Sequence, residues 1–392
     1  MPIRMAAALV TSALVATLGV FAAPEDATPA MVASGATEFD AAAAATYLDA
    51  RMDMWWAKAK TLKSGDAETK CLSCHTAVPY ALARPLLRRA LAVRTPTAHE
   101  TRIVETVRTR LAHLDQQQPF YDHTDDKKVE SRGVEAVLSA FLMTSHDLER
   151  GAAAPSAETS QAMTRLWQVQ RADGAWDWLN FGLEPYESSD AVFHGATLAA
   201  LAAGAPAGAA ASATPAGIAG LDRLRRYLAT EQASQRLFNR TWALLASSRL
   251  TGVLSPQDRD ALVTALGATQ RADGGWSLGD LGEWRWSKAS GPYAAPGATD
   301  AALLGPSDAY ATGLVVYAMK QAGYASHPAV LKATGWLIAH QQPARAGDAA
   351  WAPWRAHSLN FDREHGGDKG EPWRRMFMSD LATAFATLAL LS

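Results

Sequence analysis

Apolar residues recur at spacings of three and four along most of the chain, which is the period of an amphipathic helix. The stretches Ile103–Leu114 and Leu221–Leu228 show this spacing clearly. Helix starts are marked as well: Ser255 supplies an N-cap, Pro256 stands at the first helical position and Asp258 places an acid in the first turn. Because no stretch alternates convincingly between apolar and polar residues, as a half-buried strand does, the pattern predicts an all-α fold.

A short motif repeats after several of the predicted helices. Gln170–Trp176 and Gln270–Trp276 differ at one position, Gln341–Trp351 is a looser copy with an insertion, and Gln116–Phe120 is a degenerate one. After each copy, a loop of variable length leads into a second helix that is richer in small and apolar residues. The repeats therefore predict helical hairpins stacked side by side.

Pairing the predicted helices gives six hairpins, at about 41–60 with 76–92, 97–117 with 132–148, 157–170 with 189–204, 216–231 with 236–250, 255–270 with 308–322, and 327–341 with 379–391. The small, apolar second helices suit an inner ring wrapped by the first helices. We therefore predict one α/α toroid domain over residues 41–392, with an open solenoid as the alternative.

The N-terminus has the pattern of a secretory signal peptide. Arg4 precedes an apolar and hydroxylic run from Met5 to Val20, and Val20–Ala22 offers a small-residue cleavage site. We predict a signal peptide over residues 1–22 and a linker over 23–40, with a retained anchor as the alternative. No later stretch suits a membrane span, so the expected mature protein is exported, periplasmic and soluble.

Composition and charge narrow the classes of function. The chain has 392 residues, 48% of them hydrophobic, and a formal charge of −2 with scattered Lys and Arg residues. A large core is therefore feasible, and no basic stripe indicates a nucleic-acid partner.

The chain contains two cysteines, and both lie in the segment Cys71-Leu-Ser-Cys74-His75. This is the Cys-x-x-Cys-His pattern of c-type haem attachment. Two thiols at this spacing on a helical turn can each add to one of the neighbouring vinyl groups of a haem and form two thioethers. The histidine that follows then lies under the iron and ligates it through a ring nitrogen. The motif predicts one covalent haem c bound by Cys71, Cys74 and His75.

Three other interpretations of the motif are weaker. A thioredoxin-like redox pair needs a strand–helix context, whereas the flanks here are predicted to be helical. A zinc site needs further cysteines or histidines at ligand spacing, and the chain has no second cysteine pair. A structural disulfide does not require the adjacent histidine.

Gln170–Trp176 and Gln270–Trp276 resemble the QW motifs of squalene–hopene cyclases and related terpenoid cyclases. The resemblance implies an α/α toroid for roughly residues 41–391, in which the motif glutamine ties helix ends together and the tryptophan packs against its neighbour. It assigns these roles to Gln170, Trp176, Gln270, Trp276 and, in the looser copy, Trp351.

The resemblance does not extend to the activity. These cyclases protonate their substrate with an Asp-x-Asp-Asp motif, and the nearest string here, Asp122–Asp126, has a different spacing. Related prenyltransferases hold zinc with Asp, Cys and His, and no cysteine remains here for that role. Fold alone does not fix function, so cyclase activity is not expected.

The predicted hairpins also locate the haem. Connections from the first to the second helix are long and must emerge at one rim of the ring, where the haem motif opens the second helix of the first hairpin. Monohaem electron carriers usually supply Met or His as the sixth iron ligand. We rank His123 first, then Met378, then His194, while an open sixth position would favour catalysis. Further long-loop candidates are His357, His365 and Met376.

Other residues of this rim are candidates for the pocket. Tryptophans outside the motif copies are expected to line a haem or ligand pocket: Trp284, Trp286, Trp354 and Trp373. Aspartates that open inner helices are predicted as N-caps or as carboxylates facing the cavity: Asp190, Asp308 and Asp380.

The expected function is that of an exported monohaem c-type cytochrome exchanging electrons with a periplasmic or membrane-bound redox protein. Two alternatives keep the haem. One is a haem oxidoreductase acting on a small apolar, terpenoid-like ligand in the toroid cavity, and the other is a haem sensor of such a ligand.

Overall fold

The computed structural model describes residues 38–152, 154–284, 286–288, 291–294, 305–345, 351–359 and 372–392. The predicted signal peptide and nearly all of the linker lie outside these residues. Of the two compact units into which the chain divides, Met31–Ser392 contains every described residue. In this described part, thirteen α-helices and two short β-hairpins are present, which confirms the predicted all-α class.

The helices are α1 (Ala41–Lys58), α2 (Ala77–Ala90), α3 (Ala98–Ala112), α4 (Asp125–Glu149), α5 (Ala157–Gln168), α6 (Ala191–Gly204), α7 (Pro206–Ala211), α8 (Pro215–Glu231), α9 (Leu237–Ser247), α10 (Pro256–Ala268), α11 (Ala309–Gln321), α12 (Pro328–Ala339) and α13 (Phe377–Leu391). Short 3-10 segments cover Gln232–Ser234, Leu278–Leu281 and Pro372–Met376. The strands are β1 (Thr61–Ser64), β2 (Ala67–Lys70), β3 (Trp286–Lys288) and β4 (Gly291–Ala294).

Each predicted helix corresponds to an observed one, with shifted ends. The largest shift is at α4, which begins at Asp125 rather than near residue 132. The Thr124 side chain accepts a hydrogen bond from Lys127 N, and Asp125 and Asp126 suit the positive end of the helix dipole. This first turn is polar, so it lacks the apolar spacing from which a helix can be predicted. The sequence also gave no sign of the short helix α7.

The two β-hairpins depart from the expectation that no strand would form. Strands β1 and β2 pair antiparallel, with Thr61 opposite Lys70, and Leu62 and Ser64 face inward. Four-residue strands are too short for alternation to stand out. The consequence for the site is direct, because β2 ends at the residue before Cys71.

The second helices of the six pairs contact one another in cyclic order. Helix α2 packs on α4, α4 on α6, α6 on α9, α9 on α11, α11 on α13, and α13 returns to α2. Most residues of α6, α11 and α13 are buried, which explains why these segments are apolar all round rather than on one stripe. In this order α6 lies three helices from α13 in either direction.

Three motif glutamines join the end of one first helix to the start of another. Gln170 Nε2 donates to the carbonyl of Gly220 in α8 at 3.1 Å, and Gln270 Nε2 donates to the carbonyl of Ala329 in α12 at 2.8 Å. Gln341 completes the series across the chain ends: its Nε2 donates to Asp40 O at 2.8 Å, and Asp40 N donates back to Gln341 Oε1 at 2.8 Å. Asp40 is the N-cap of α1, so this pair joins the sixth hairpin to the first.

The motif tryptophans pack as expected in two copies, and the assignment in the third was wrong. Trp176 and Trp276 are fully buried and donate Nε1 to Leu166 O and Leu266 O, each at 2.9 Å. The matching bond, to Leu337 O at 2.9 Å, comes from Trp354 rather than Trp351. The insertion in this copy places the tryptophan thirteen residues after Gln341, whereas it stands six residues after the glutamine in the two clear copies.

The glycine of each clear motif copy is required by the backbone. Gly174 and Gly274 have φ values of +100° and +102°, a region that L-residues with side chains seldom occupy. A Cβ atom at Gly174 would also lie 2.4 Å from the carbonyl oxygen of Arg223. The turn therefore brings the motif backbone directly against α8.

No helix in the described ranges is both long enough and apolar enough to cross a membrane.

Candidate haem site

The Cys-x-x-Cys-His segment lies between the end of β2 and the start of α2. Thr76 is the N-cap residue of α2, so the motif precedes the helix. The expectation that the two thiols lie on a helical turn was therefore wrong. Ser73 organises it: its Oγ accepts hydrogen bonds from Thr76 N at 3.2 Å and Ala77 N at 3.0 Å. This satisfies two of the helix's unpaired N–H groups and fixes the direction in which Cys74 and His75 leave the helix.

Both thiols are free and partly buried. Burial raises the pKa of the Cys71 thiol well above its ordinary value, and burial, with Glu187 adding to the effect, raises the pKa of Cys74. A redox-active pair needs a lowered thiol pKa, which argues against the thioredoxin-like interpretation. The segment before Cys71 is strand β2, although both flanks of the motif were predicted to be helical, so the flanks themselves do not exclude a thioredoxin-like pair.

A narrow cavity, with room for about one water molecule, lies beside Cys74, between helices of the inner ring. Its wall includes Cys74, His194, Trp242, Leu381 and Phe385. A second cavity of similar size shares Leu82, Phe141, Trp242 and Phe385 with the first and extends to Arg249 and Tyr317. The two small cavities therefore lie next to each other, with Cys74 in the wall of the first.

His194 is the buried polar group of this cavity. It is 2% exposed, and its Nδ1 has no hydrogen-bond partner. Burial lowers the pKa of His194 to about 3, so the imidazole is neutral near pH 7. The rings of Trp242 and Tyr186 lie with centroids 4.5 Å and 4.8 Å from the imidazole and hold it in place. A buried nitrogen without a partner costs free energy, and a neutral imidazole is the form that binds metals.

His75 packs against the start of α13. Its ring stacks on Phe377 with centroids 3.6 Å apart, and the Trp55 ring meets it edge-on at 5.5 Å. Trp373 packs against both Trp55 and Phe377, at 6.0 Å and 5.1 Å. Phe377 and Trp55 thus fix the plane of the imidazole, and Trp373 supports both of these rings.

A polar chain runs from His75 to a buried carboxylate. His75 Nδ1 lies 3.0 Å from Thr76 Oγ1, and Thr76 Oγ1 donates to Asp380 Oδ2 at 2.7 Å. Tyr47 OH donates to Asp380 Oδ1 at 2.8 Å, and Arg51 Nε donates to the same oxygen at 2.6 Å. Burial raises the pKa of Asp380, and the Arg51 guanidinium opposes that shift.

These residues fit a covalently attached haem on two grounds. The donor set comprises two free thiols and an adjacent imidazole at the required spacing. A second, unpartnered imidazole is buried in the cavity that Cys74 lines.

The other predicted iron ligands lie elsewhere. His123 is exposed, and its ring lies 6.3 Å from that of Phe181, away from the cavity. Met378 is buried in the first turn of α13, one residue after Phe377, and is not part of the cavity wall. Met376 accepts a contact from Arg355 Nη1 at 2.9 Å, and His365 lies outside the described residues.

The predicted pocket tryptophans and N-cap aspartates divide by role. Trp373 packs against Phe377, the ring that stacks on His75. Trp284 is buried beneath Arg236, and the Trp286 side chain lies outside the described residues. Asp308 caps α11 by accepting from Ala311 N at 2.8 Å, and its burial raises its pKa to about 6. Asp190 holds the N-cap position of α6 without a side-chain cap bond and pairs with Arg236. Asp380 lies inside α13, so its assignment as an N-cap was wrong.

Sequence reasoning missed the partners of His75. Thr76 follows the motif, but Asp380 and Arg51 are 329 residues apart in the chain, and no spacing rule joins them. The one available signal was the acidic residue near the start of a helix that is otherwise apolar.

A wider cleft lies elsewhere. It has a volume of about 390 Å³ between α2, α3 and α4, and its lining includes Ile103, Leu142, Arg88 and Glu149. Cys71, Cys74 and His75 are not part of its wall.

Comparison of the chain with models of known protein families gives no match, and comparison with curated protein sequences gives none either.

Proposed function

We propose that this protein is an exported monohaem c-type cytochrome that carries electrons. One observation carries the proposal: Cys74 of the Cys-x-x-Cys-His motif faces a cavity whose wall holds a neutral, unpartnered imidazole, His194. The chemistry supplied by a bound haem is one-electron exchange with a periplasmic or membrane-bound redox protein.

Each residue has a defined part in this proposal. Cys71 and Cys74 anchor the haem through thioethers, and His75 supplies the first axial nitrogen. His194 supplies the second in preference to His123 and Met378, because it alone of the three lines the cavity with Cys74. His75 packs against α13, and His194 lies in α6, three helices away in the cyclic order.

The architecture we propose is an α/α toroid of six hairpins with the haem at the long-loop rim, of the kind seen in squalene–hopene cyclase-like proteins. Support comes from the cyclic contacts of the second helices and from the Gln341–Asp40 pair that joins the last hairpin to the first. The aromatic wall formed by Trp242, Phe385 and Phe141 excludes water from the interior, which reduces the reorganisation that accompanies a change of charge.

Absorption spectra of the ferric and ferrous protein test the proposal. Two axial imidazoles predict a low-spin iron in both states and no reaction with carbon monoxide. His194→Leu should leave the haem attached but give a high-spin ferric iron and a ferrous form that binds carbon monoxide. His123→Leu is the matched control and should change neither spectrum.

A wild-type protein that is high-spin and binds carbon monoxide would overturn the electron-carrier proposal. It would favour the haem oxidoreductase or haem sensor, in which the sixth position stays open for a ligand. A low-spin spectrum that survives His194→Leu but not Met378→Leu would refute the assignment of His194.

A further inference from the structure

The hydrogen bonds of Thr76 fix the protonation of His75. A threonine hydroxyl has one proton to donate, and Thr76 donates it to Asp380 Oδ2 at 2.7 Å, since a carboxylate oxygen only accepts. The 3.0 Å contact between Thr76 Oγ1 and His75 Nδ1 must then be donated by the imidazole. His75 therefore carries its proton on Nδ1, and its lone pair is on Nε2.

Asp380 is held as a carboxylate by the groups around it. Arg51 contributes two bonds, from Nε at 2.6 Å and from Nη2 at 3.3 Å, and Tyr47 and Thr76 contribute one hydroxyl each. Asp380 is 1% exposed and Arg51 is 7% exposed, so water does not replace these contacts. The charge of Asp380 consequently acts on Thr76 with little screening.

We propose that Asp380 acts through Thr76 as a positioning residue for His75, presenting Nε2 to the haem iron and lowering its midpoint potential. A hydrogen bond from Nδ1–H to a polarised acceptor fixes the tautomer and makes the coordinating nitrogen more basic. A more basic ligand stabilises ferric over ferrous iron. The inference rests on the proposed function, because it requires a haem bound at His75.

Substitution of Thr76 tests the proposal by spectroelectrochemical titration of the attached haem. Thr76→Val removes the hydroxyl at nearly constant volume and should raise the midpoint potential. Mutation of an outer-shell partner typically changes metal affinity or activity by about 10–100-fold. We expect about a tenfold change in the ferrous-to-ferric ratio at fixed potential, which corresponds to about 59 mV for one electron. Thr76→Ser restores the hydroxyl and should return the potential to the wild-type value.

Tyr47→Phe is the matched control for disturbance of the cluster. It removes a donor from the same carboxylate without touching His75, and the charge freed on Asp380 then polarises Thr76 more strongly. We expect its potential to fall or stay constant and not to rise. If Thr76→Val does not accumulate, Tyr47→Phe still tests the relay, because a rise in the midpoint potential of that variant contradicts it.

Haem content, measured as the pyridine haemochrome, distinguishes a failure of the proposed cytochrome function from a failure of the Asp380–Thr76–His75 relay. Wild-type protein without haem would end the proposed function. Haem-loaded Thr76→Val with an unchanged potential, or Thr76→Ser that does not restore the wild-type value, would overturn the relay while leaving the cytochrome proposal intact.

Discussion

Replacing Gln341 with alanine tests whether the first and last hairpins hold each other in place. The amide makes two 2.8 Å hydrogen bonds to the backbone of Asp40, and Gln341 is 3% exposed. At about 1 kcal/mol for each hydrogen bond, Gln341→Ala should lower the free energy of unfolding by about 2 kcal/mol. For a chain of this size that corresponds to roughly 3 °C in the melting temperature.

Thermal and urea unfolding followed by circular dichroism measure this change. Gln270→Ala removes the equivalent tie between α10 and α12 and should cost a similar amount. Gln257→Ala, on the exposed face of α10, is the control and should stay within about 0.5 kcal/mol of wild type. A cost for Gln341→Ala no larger than that of Gln257→Ala would show that the pair does not tie the chain ends together.

Three further variants test the packing and electrostatics of the fold by the same unfolding measurements. Gly174→Ala should lower the free energy of unfolding by about 3 kcal/mol, and Gly151→Ala by about 1 kcal/mol. Both glycines have positive φ, but only at Gly174 would a Cβ atom lie against a backbone carbonyl. Equal losses of stability in the two variants would contradict this reasoning. Burial raises the pKa of Asp308 to about 6, so between pH 4 and 6 the folded state binds a proton that the unfolded state does not. The free energy of unfolding should therefore fall by roughly 3 kcal/mol as the pH rises through that window. Asp308→Asn should abolish this pH dependence, and an unchanged pH dependence would exclude Asp308 as its source. Arg110→Met should lower the free energy of unfolding by about 3–5 kcal/mol, because it leaves Glu135 buried and unpaired. The double variant Arg110→Met, Glu135→Leu should recover most of this loss. A double variant that is no more stable than the single one would refute this reasoning.

The helices could be predicted from sequence because the first helices bury one stripe, and the second helices α6, α11 and α13 are buried over most of their surface. Ile103, Val107 and Leu111 lie on one face of α3, and the apolar run of α6 has no polar face at all. These are local properties with a fixed period. The first turn of α4 and the strands beside Cys71 are local too, but polar or short, and carry no period.

The site could be predicted only where its chemistry is contiguous in sequence. Cys71, Cys74 and His75 stand within five residues, whereas His194 meets Cys74 only because α2 and α6 close around one cavity. Ranking His123 first assumed that a long loop reaches the haem, and the structure places that residue at the surface. Trp354 took the role assigned to Trp351 because an insertion shifted the motif, and only the bond to Leu337 reveals the true register.

The central claim is that a haem is bound covalently through Cys71 and Cys74. The direct measurement is a denaturing gel stained for haem peroxidase activity, run on protein produced in a host with the cytochrome c maturation machinery. We expect the wild-type band to stain and the Cys71→Ser, Cys74→Ser double variant to remain unstained at equal protein loading. A wild-type band without stain would contradict the account.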